Sequence, residues 1–301
     1  MHLLLLLFSL SVFARDISGE FRQYYETGSF SESELDYLRQ REVVFIPGFG
    51  AELFILSDPR GDVDFSRITR DYFGNHLKFM RALGIPARRL RASSASVPET
   101  LAEIQELLSA RKGPVIFFTH SLGGMALLEH LLSHPEHWSL VAGIVFLQSP
   151  FTGAPVADVA KKFPALRRVY PHVNVSDAVI NYLSVKNRKD YVEKNQAAIE
   201  ELTRRIPVIT AGGVANGYRS VFSPSIQIIR SGCLTRKCLG PRLYPGPYDN
   251  SDGMVPFEGS KLPGADFVLL PGADHGETVL EIPFRGYDHW KLTRGLLKLL
   301  L

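Results

Sequence analysis

The chain has 301 residues, 45% of them hydrophobic and 22% charged, with 34 Lys and Arg against 31 Asp and Glu for a formal net charge of +3. That size and composition suit one large globular domain or two small ones. So slight a basic excess, with no long run of either sign, excludes the concentrated cationic face of a nucleic-acid binder.

In chain order, the first feature is an apolar run from Leu3 to Phe13, broken only by Ser9 and Ser11 and closed by the small residue Ala14. It is too short to span a bilayer, which needs about 20 apolar residues, and it has the shape of a signal peptide, with an uncleaved surface anchor as the alternative. Residues 1–14 are therefore expected to be removed on export to a secreted or periplasmic location, leaving a domain over 15–301. Residues 15–42 are polar, and Ser31-Glu32-Ser33-Glu34 predicts a capping box that opens a short helix. Val43 to Ile46 predicts a buried strand ending in Pro47-Gly48-Phe49-Gly50.

A helical stretch is predicted near Gly74 to Leu83, a strand at Arg88 to Ala92, and an amphipathic helix at Val97 to Ala110, where Leu101, Ile104, Leu107 and Leu108 share one face. Val115 to Phe118 is a second apolar strand, running through Thr119-His120-Ser121-Leu122-Gly123-Gly124 into an apolar helix from Met125 to Leu132. Val141 to Leu147 predicts a strand. Residues 153–206 break the rhythm with helical patterns around Val192, Ile199 and Leu202. Strands return at Pro207 to Ala211 and Phe267 to Leu270, and Tyr287 to Leu301 predicts a closing helix. Continuous apolar strands alternating with helices imply an α/β fold: a doubly wound, mostly parallel sheet covered on both faces, with 153–206 inserted. Cys233 and Cys238 frame a short polar segment. In an oxidising compartment their bridge is expected to contribute roughly 2 kcal/mol, and the lack of nearby ligands argues against a metal.

The chemistry concentrates at Thr119 to Gly123. A serine used for hydrolysis must be held clear of its own strand and within reach of a base. A sharp strand-to-helix turn with small flanking residues achieves this, and the helix start aims the Leu122 N–H at developing negative charge. Thr119 stands where such turns usually have Gly, and its branched side chain is expected to crowd the turn. Pro47-Gly48-Phe49, after the first strong strand, offers the Phe49 N–H as a second oxyanion donor. Asp252, in the turn Asn250-Ser251-Asp252-Gly253, and His275, in Gly272-Ala273-Asp274-His275-Gly276, complete a Ser, Asp, His order along the chain. Ser121 is thus the expected nucleophile, His275 the base and Asp252 its orienting acid. His289 is the rival base, Asp249 the rival acid, and Asp274 a turn former. His120 is expected to pack or hydrogen-bond, and His130, His134 and His137, clustered around a helix end, to form a solvated terminus, with a metal site as the alternative.

These segments resemble the bacterial triacylglycerol lipases of the α/β-hydrolase superfamily. The elbow His120-Ser121-Leu122-Gly123-Gly124 is shared widely there. Ser149-Pro150-Phe151-Thr152-Gly153-Ala154-Pro155-Val156-Ala157-Asp158 resembles the run that leads those lipases into their cap, and Ser251-Asp252-Gly253-Met254-Val255 resembles their acid loop. The likeness covers roughly residues 43–280. It implies the α/β-hydrolase fold with a helical cap over 153–206, and cleavage of carboxylic esters, lipid esters above all, with transient contact at lipid surfaces. Pro47 replaces the usual His of the oxyanion segment, and the family's calcium pattern has no match around His275, so no metal and no cofactor are expected. The same triad also serves thioesterases, phospholipid deacylases and polyester depolymerases, and a catalytically silent lipid carrier is the alternative outside enzymes. No feature bears on oligomeric state.

Overall fold

Strands that are apolar on both sides must be covered on both sides. In the computed structural model, which describes residues 14–49, 51, 71–91, 97–162, 176–215, 250–281 and 286–301, the apolar strands are the inner members of a six-stranded sheet. The six are β1 (Glu42–Ile46), β2 (Ala87–Arg89), β3 (Val115–His120), β4 (Val141–Leu147), β5 (Val208–Ala215) and β6 (Asp266–Gly272). All neighbours pair in parallel, in the order β2-β1-β3-β4-β5-β6. The helices are α1 (Ser18–Thr27), α2 (Glu32–Arg39), α3 (Gly74–Ala82), α4 (Val97–Ser109), α5 (Leu122–Ser133), α6 (Pro155–Lys162), α7 (Asp177–Tyr182), α8 (Val185–Lys194), α9 (Gln196–Arg205) and α10 (His289–Lys298). Among the described residues, no helix is long and apolar enough to cross a membrane.

Alternation along the strands divides the core in two. Val44, Ile46, Val115, Phe117, Ile144 and Phe146 face a cluster that includes Ile104, Leu107, Met125, Leu128, Ile199 and Leu202 of α4, α5 and α9. Val43, Phe45, Ile116, Phe118, Val145 and Leu147 face Phe21, Leu38, Phe79, Met80, Leu292 and Leu296 of α1, α2, α3 and α10. The chain steps outward from β1 to β2 and then returns to lay β3 on the other side of β1. This reversal opens a crevice at the carboxyl ends of β1 and β3, where doubly wound sheets place their sites.

The predicted capping box forms: Glu34 N–H donates to Ser31 Oγ, and Ser31 N–H donates to the Glu34 carboxylate (2.6 Å). The preceding polar stretch holds a helix that the sequence reading passed over, because α1 buries only Phe21. Gly295 of α10 makes room for that ring, since a Cβ there would lie 3.0 Å from Phe21 Cε2. Residues 15–17 cover the open edge of β6, through Phe267 N–H to Arg15 O (2.9 Å) and Ile17 N–H to Phe267 O (3.0 Å). An exposed strand edge invites pairing with other chains, and this segment blocks it.

Helices α6 to α9 fill the connection from β4 to β5. Gly153, at φ +93°, lets the chain pass so close to Val185 that a side chain would strike its backbone. Arg188 of α8 reaches Glu129 of α5 at 2.6 Å, and its guanidinium lies over the ring of Tyr191 (4.4 Å). With Val192, Ile199 and Leu202 in the core cluster, α8 and α9 pack on the sheet side against α5. The segment 1–13 and the Cys233 and Cys238 pair lie outside the described residues.

Candidate active site

The last residue of β3, His120, leads directly into Ser121, which caps α5 at φ 52° and ψ −123°. A positive φ on a non-glycine residue costs roughly 1–3 kcal/mol and persists only where the surroundings enforce it. Here the enforcement is steric. A Cβ on Gly123 would fall 2.6 Å from Ile46 O, and one on Gly48 would fall 2.8 Å from Ser121 Cβ, so the helix start, the end of β1 and the serine are pressed together. Thr119, expected to crowd the turn, is accommodated by Gly124: a Cβ there would sit 2.9 Å from both Thr119 Oγ1 and Phe146 Cδ1. The threonine hydroxyl instead donates to Val145 O at 3.3 Å.

The structure brings the three predicted side chains together: Ser121 and His275 follow β3 and β6, and Asp252 sits in a turn tied to the end of β5 by the bond from Ala215 N–H to Ser251 O (2.9 Å). Ser121 Oγ lies 2.9 Å from His275 Nε2, and His275 Nδ1 lies 2.8 Å from Asp252 Oδ2. Asp252 is 1% exposed, and its other oxygen accepts from the N–H groups of Met254 (2.9 Å) and Val255 (2.7 Å). A carboxylate only accepts, so Nδ1 of His275 carries its proton toward Oδ2 and Nε2 is left to accept from the serine hydroxyl. The main chain reinforces the pairing, because His275 N–H donates to Asp252 O (3.0 Å). Asp274 shapes the histidine turn by accepting from the N–H groups of Gly276 (2.8 Å) and Glu277 (2.9 Å), and its own N–H donates to the Glu277 carboxylate.

A second layer has no sequence signature. Gln148, fully buried at the end of β4 with φ 50°, donates from Nε2 to Asp274 O (2.9 Å) and accepts on Oε1 from Thr278 Oγ1. Its oxygen also faces His120 Nε2 at 3.3 Å. The other nitrogen of His120 lies 2.6 Å from the Tyr72 hydroxyl, which accepts from the Gly48 N–H (3.1 Å). One tautomer satisfies the whole chain of bonds: Tyr72 donates to His120 Nδ1, and His120 Nε2–H donates to Gln148. Burial, with His275 beside it, pushes the His120 pKa well below the ordinary histidine value. The ring centroids of the two histidines are 4.7 Å apart, so a neutral His120 spares any His275 cation a like-charged neighbour. Only a polar Gln closing an apolar strand hinted at this network.

The Leu122 N–H, at the first position of α5, and the Phe49 N–H, beyond β1, have no acceptor among the described residues. Gly48 N–H is already used by Tyr72. The rival base is engaged elsewhere: His289 Nε2 lies 2.9 Å from Glu277 O and its ring stacks on His76 at 4.8 Å. The rival acid, Asp249, lies outside the described residues. Of the histidines at the end of α5 that were expected to be solvated, His130 and His137 are buried, at 3% and 8% exposed, and His134 is partly open. A cleft of about 780 Å³ lined by Arg88, Arg91, Arg111 and Lys112 lies beside β2 and does not include Ser121.

Compared with known proteins, the sequence matches the alpha/beta hydrolase family over residues 28–285. No curated protein matches it. Among solved structures, a metagenomic carboxyl esterase is similar at a TM-score of 0.70 and 16% identity, covering 96% of this chain and 93% of that one. The mature form of a Bacillus licheniformis lipase is similar at 0.56 and 16% identity, over 86% of this chain and 89% of its own. Lipase 1 from Pelosinus fermentans is similar at 0.53 and 13% identity, over 86% and 98%. At such identities the likeness speaks for the fold alone.

Proposed function

The chain belongs to the alpha/beta hydrolase family, and from that premise we propose that it is a serine ester hydrolase acting on carboxylic esters, lipid esters above all, with Ser121, His275 and Asp252 as its triad. The observation that carries the reading is the continuous relay from Ser121 Oγ to His275 Nε2 (2.9 Å) and from Nδ1 to Asp252 Oδ2 (2.8 Å). The lipase and esterase names of the structural neighbours favour esters among the bonds such a relay can break.

As Ser121 Oγ attacks the ester carbonyl carbon, its proton passes to His275 Nε2, and Asp252 stabilises the imidazolium across the Nδ1 bond. The carbonyl oxygen takes up the negative charge and is met by the N–H groups of Phe49 and Leu122. The α5 N-terminus adds its partial positive charge, and each donor is typically worth about a hundred- to a thousand-fold in rate. Collapse breaks the bond to the alkoxy oxygen, which leaves as an alcohol carrying the proton from Nε2. Water, deprotonated by the same nitrogen, then attacks the acyl-enzyme, and the acid departs with Ser121 restored. No cofactor takes part in this scheme. Export through residues 1–14, a Cys233–Cys238 bridge and a helical cap within 153–206 belong to the same reading.

A panel of p-nitrophenyl and glycerol esters of increasing acyl length, with a thioester and a phospholipid alongside, tests the substrate class. Turnover of the oxygen esters that disappears in Ser121→Ala is expected. Turnover confined to the thioester or the phospholipid would replace this reading with one of its alternatives.

A further inference from the structure

The three histidines at the far end of α5 sit at positions 130, 134 and 137: the first lies inside the helix, the second caps it and the third belongs to the turn that follows. Pro135 ends the helix and starts a 3-10 turn, Pro135–Leu140, which keeps Glu136 and His137 beside the helix end. The rings are stacked, with centroids 4.6 Å apart for His130 and His134, 5.2 Å for His130 and His137, and 5.5 Å for His134 and His137. Among the described residues, Glu136 brings a carboxylate to the group, 3.0 Å from His134 Nδ1.

We propose that His134, Glu136 and His137 form a binding site for a divalent transition-metal ion of zinc's class. One donor atom from each can be chosen so that all three lie within 4.8 Å of one another. Two ligands held about 2.0–2.2 Å from an ion stand roughly 3.0–3.5 Å apart. The pair His134 Nδ1 and Glu136 Oε1 already has that separation, and His137 needs only a small movement to join it. Two imidazoles and one carboxylate suit zinc, nickel or copper and discriminate against calcium and magnesium, which prefer oxygen ligands. The buried His130 acts as orienter: its Nε2 is 3.0 Å from His137 Nδ1, so one nitrogen of His137 is fixed by a neighbour while the other stays available, the usual arrangement of a metal-binding histidine.

The donors arise from the last turn of α5 and the turn that follows, so a bound ion staples the helix end to the entrance of β4. The site stands a whole helix away from Ser121: twelve residues at about 1.5 Å rise span roughly 18 Å. It therefore has no part in ester cleavage, and its fate is independent of the triad.

The experiment uses tag-free full chain stripped of metal, titrated calorimetrically with Zn²⁺, with Co²⁺ as a spectroscopic probe and thermal melting as a second readout. The control is His134→Ala combined with Glu136→Gln. These side chains are 39% and 64% exposed, so the double variant leaves the buried rings in place and is expected to keep its fold and its basal activity. The wild-type chain should bind one Zn²⁺, develop visible Co²⁺ absorption, and melt about 5 °C higher at a hundredfold excess over the dissociation constant. The double variant should lose all three responses. Equal Zn²⁺ binding by both proteins would place the ion elsewhere, at the cysteines for example, and overturn the proposal. No binding by the folded wild-type chain would overturn it equally.

Discussion

Replacing Asp252 by Asn tests the proposed relay without changing its shape. The carboxylate makes three bonds: Oδ1 accepts from Met254 and Val255 N–H, and Oδ2 faces His275 Nδ1. An amide has one acceptor oxygen, and it stays with the two main-chain donors, because turning it away would leave both buried N–H groups facing an NH₂. The amide nitrogen then points at His275 Nδ1 and forces that atom to accept. The ring proton moves to Nε2, where it faces Ser121 Oγ, and the imidazole can no longer take the serine proton. A triad acid exchanged in this way lowers kcat by about ten-thousand-fold, equivalent to about 5.4 kcal/mol of lost transition-state stabilisation. Steady-state hydrolysis of a short p-nitrophenyl ester should show that loss in kcat with KM changed by no more than about threefold, and thermal melting should show a folded protein. A kcat within tenfold of wild type, or a loss confined to KM, would refute the argument that Asp252 sets the tautomer.

The remaining expectations use the same assays. His275→Ala should lower turnover by several orders of magnitude, whereas His289→Ala, which removes a bond to Glu277 O and a stack on His76, should retain most activity and lose stability; the opposite pattern would mean that the wrong base was chosen. Gly124→Ala drives a methyl into Ser149 Oγ, Phe146 and Thr119, so the melting temperature should fall by an amount equivalent to about 1–3 kcal/mol, and an unchanged melt would contradict the packing at the elbow. Burial pushes the pKa values of His76 and His120 well below the ordinary one. Below about pH 6.5 the unfolded chain binds protons at these sites and the native chain does not, so stability should fall as pH falls, by up to about 1.4 kcal/mol per pH unit for each. A melting temperature that holds steady from pH 7 to pH 5 would show that these rings are not held neutral.

The parts of the fold that declared themselves in the sequence are those dominated by local burial. Val141 to Leu147 is seven apolar or small residues in a row, and β4 occupies that span. Short Gly-containing turns after such strands marked where Ser121 and His275 emerge, because a side chain leaving a buried strand needs a tight turn to reach the crevice, and Asp252 was marked by its own tight turn. The segments that were misread depend on contacts distant along the chain. Helix α1 is held by Phe21 against Gly295 and by Arg294, whose guanidinium donates to Tyr24 O (3.3 Å) and Tyr25 O (2.7 Å), contacts so distant along the chain that they leave no local trace. Thr119 looked like a steric fault because the space it fills is vacated by Gly124, one helical turn later. The histidines after α5 looked solvated because Pro135 hides the turn that brings His137 back over His130. Gln148 and Tyr72 left almost no trace: their partners lie in the loops after β1 and β6 and at the end of β3, and neither belongs to a spacing pattern.

The central claim is that the Ser121 hydroxyl is an activated nucleophile, and covalent capture addresses it most directly. Purified chain incubated with a fluorophosphonate should gain one phosphonyl group, mapped by peptide mass spectrometry to Ser121, at a rate that collapses in His275→Ala. A folded wild-type chain that stays unlabelled, or one labelled at another serine, would contradict the account.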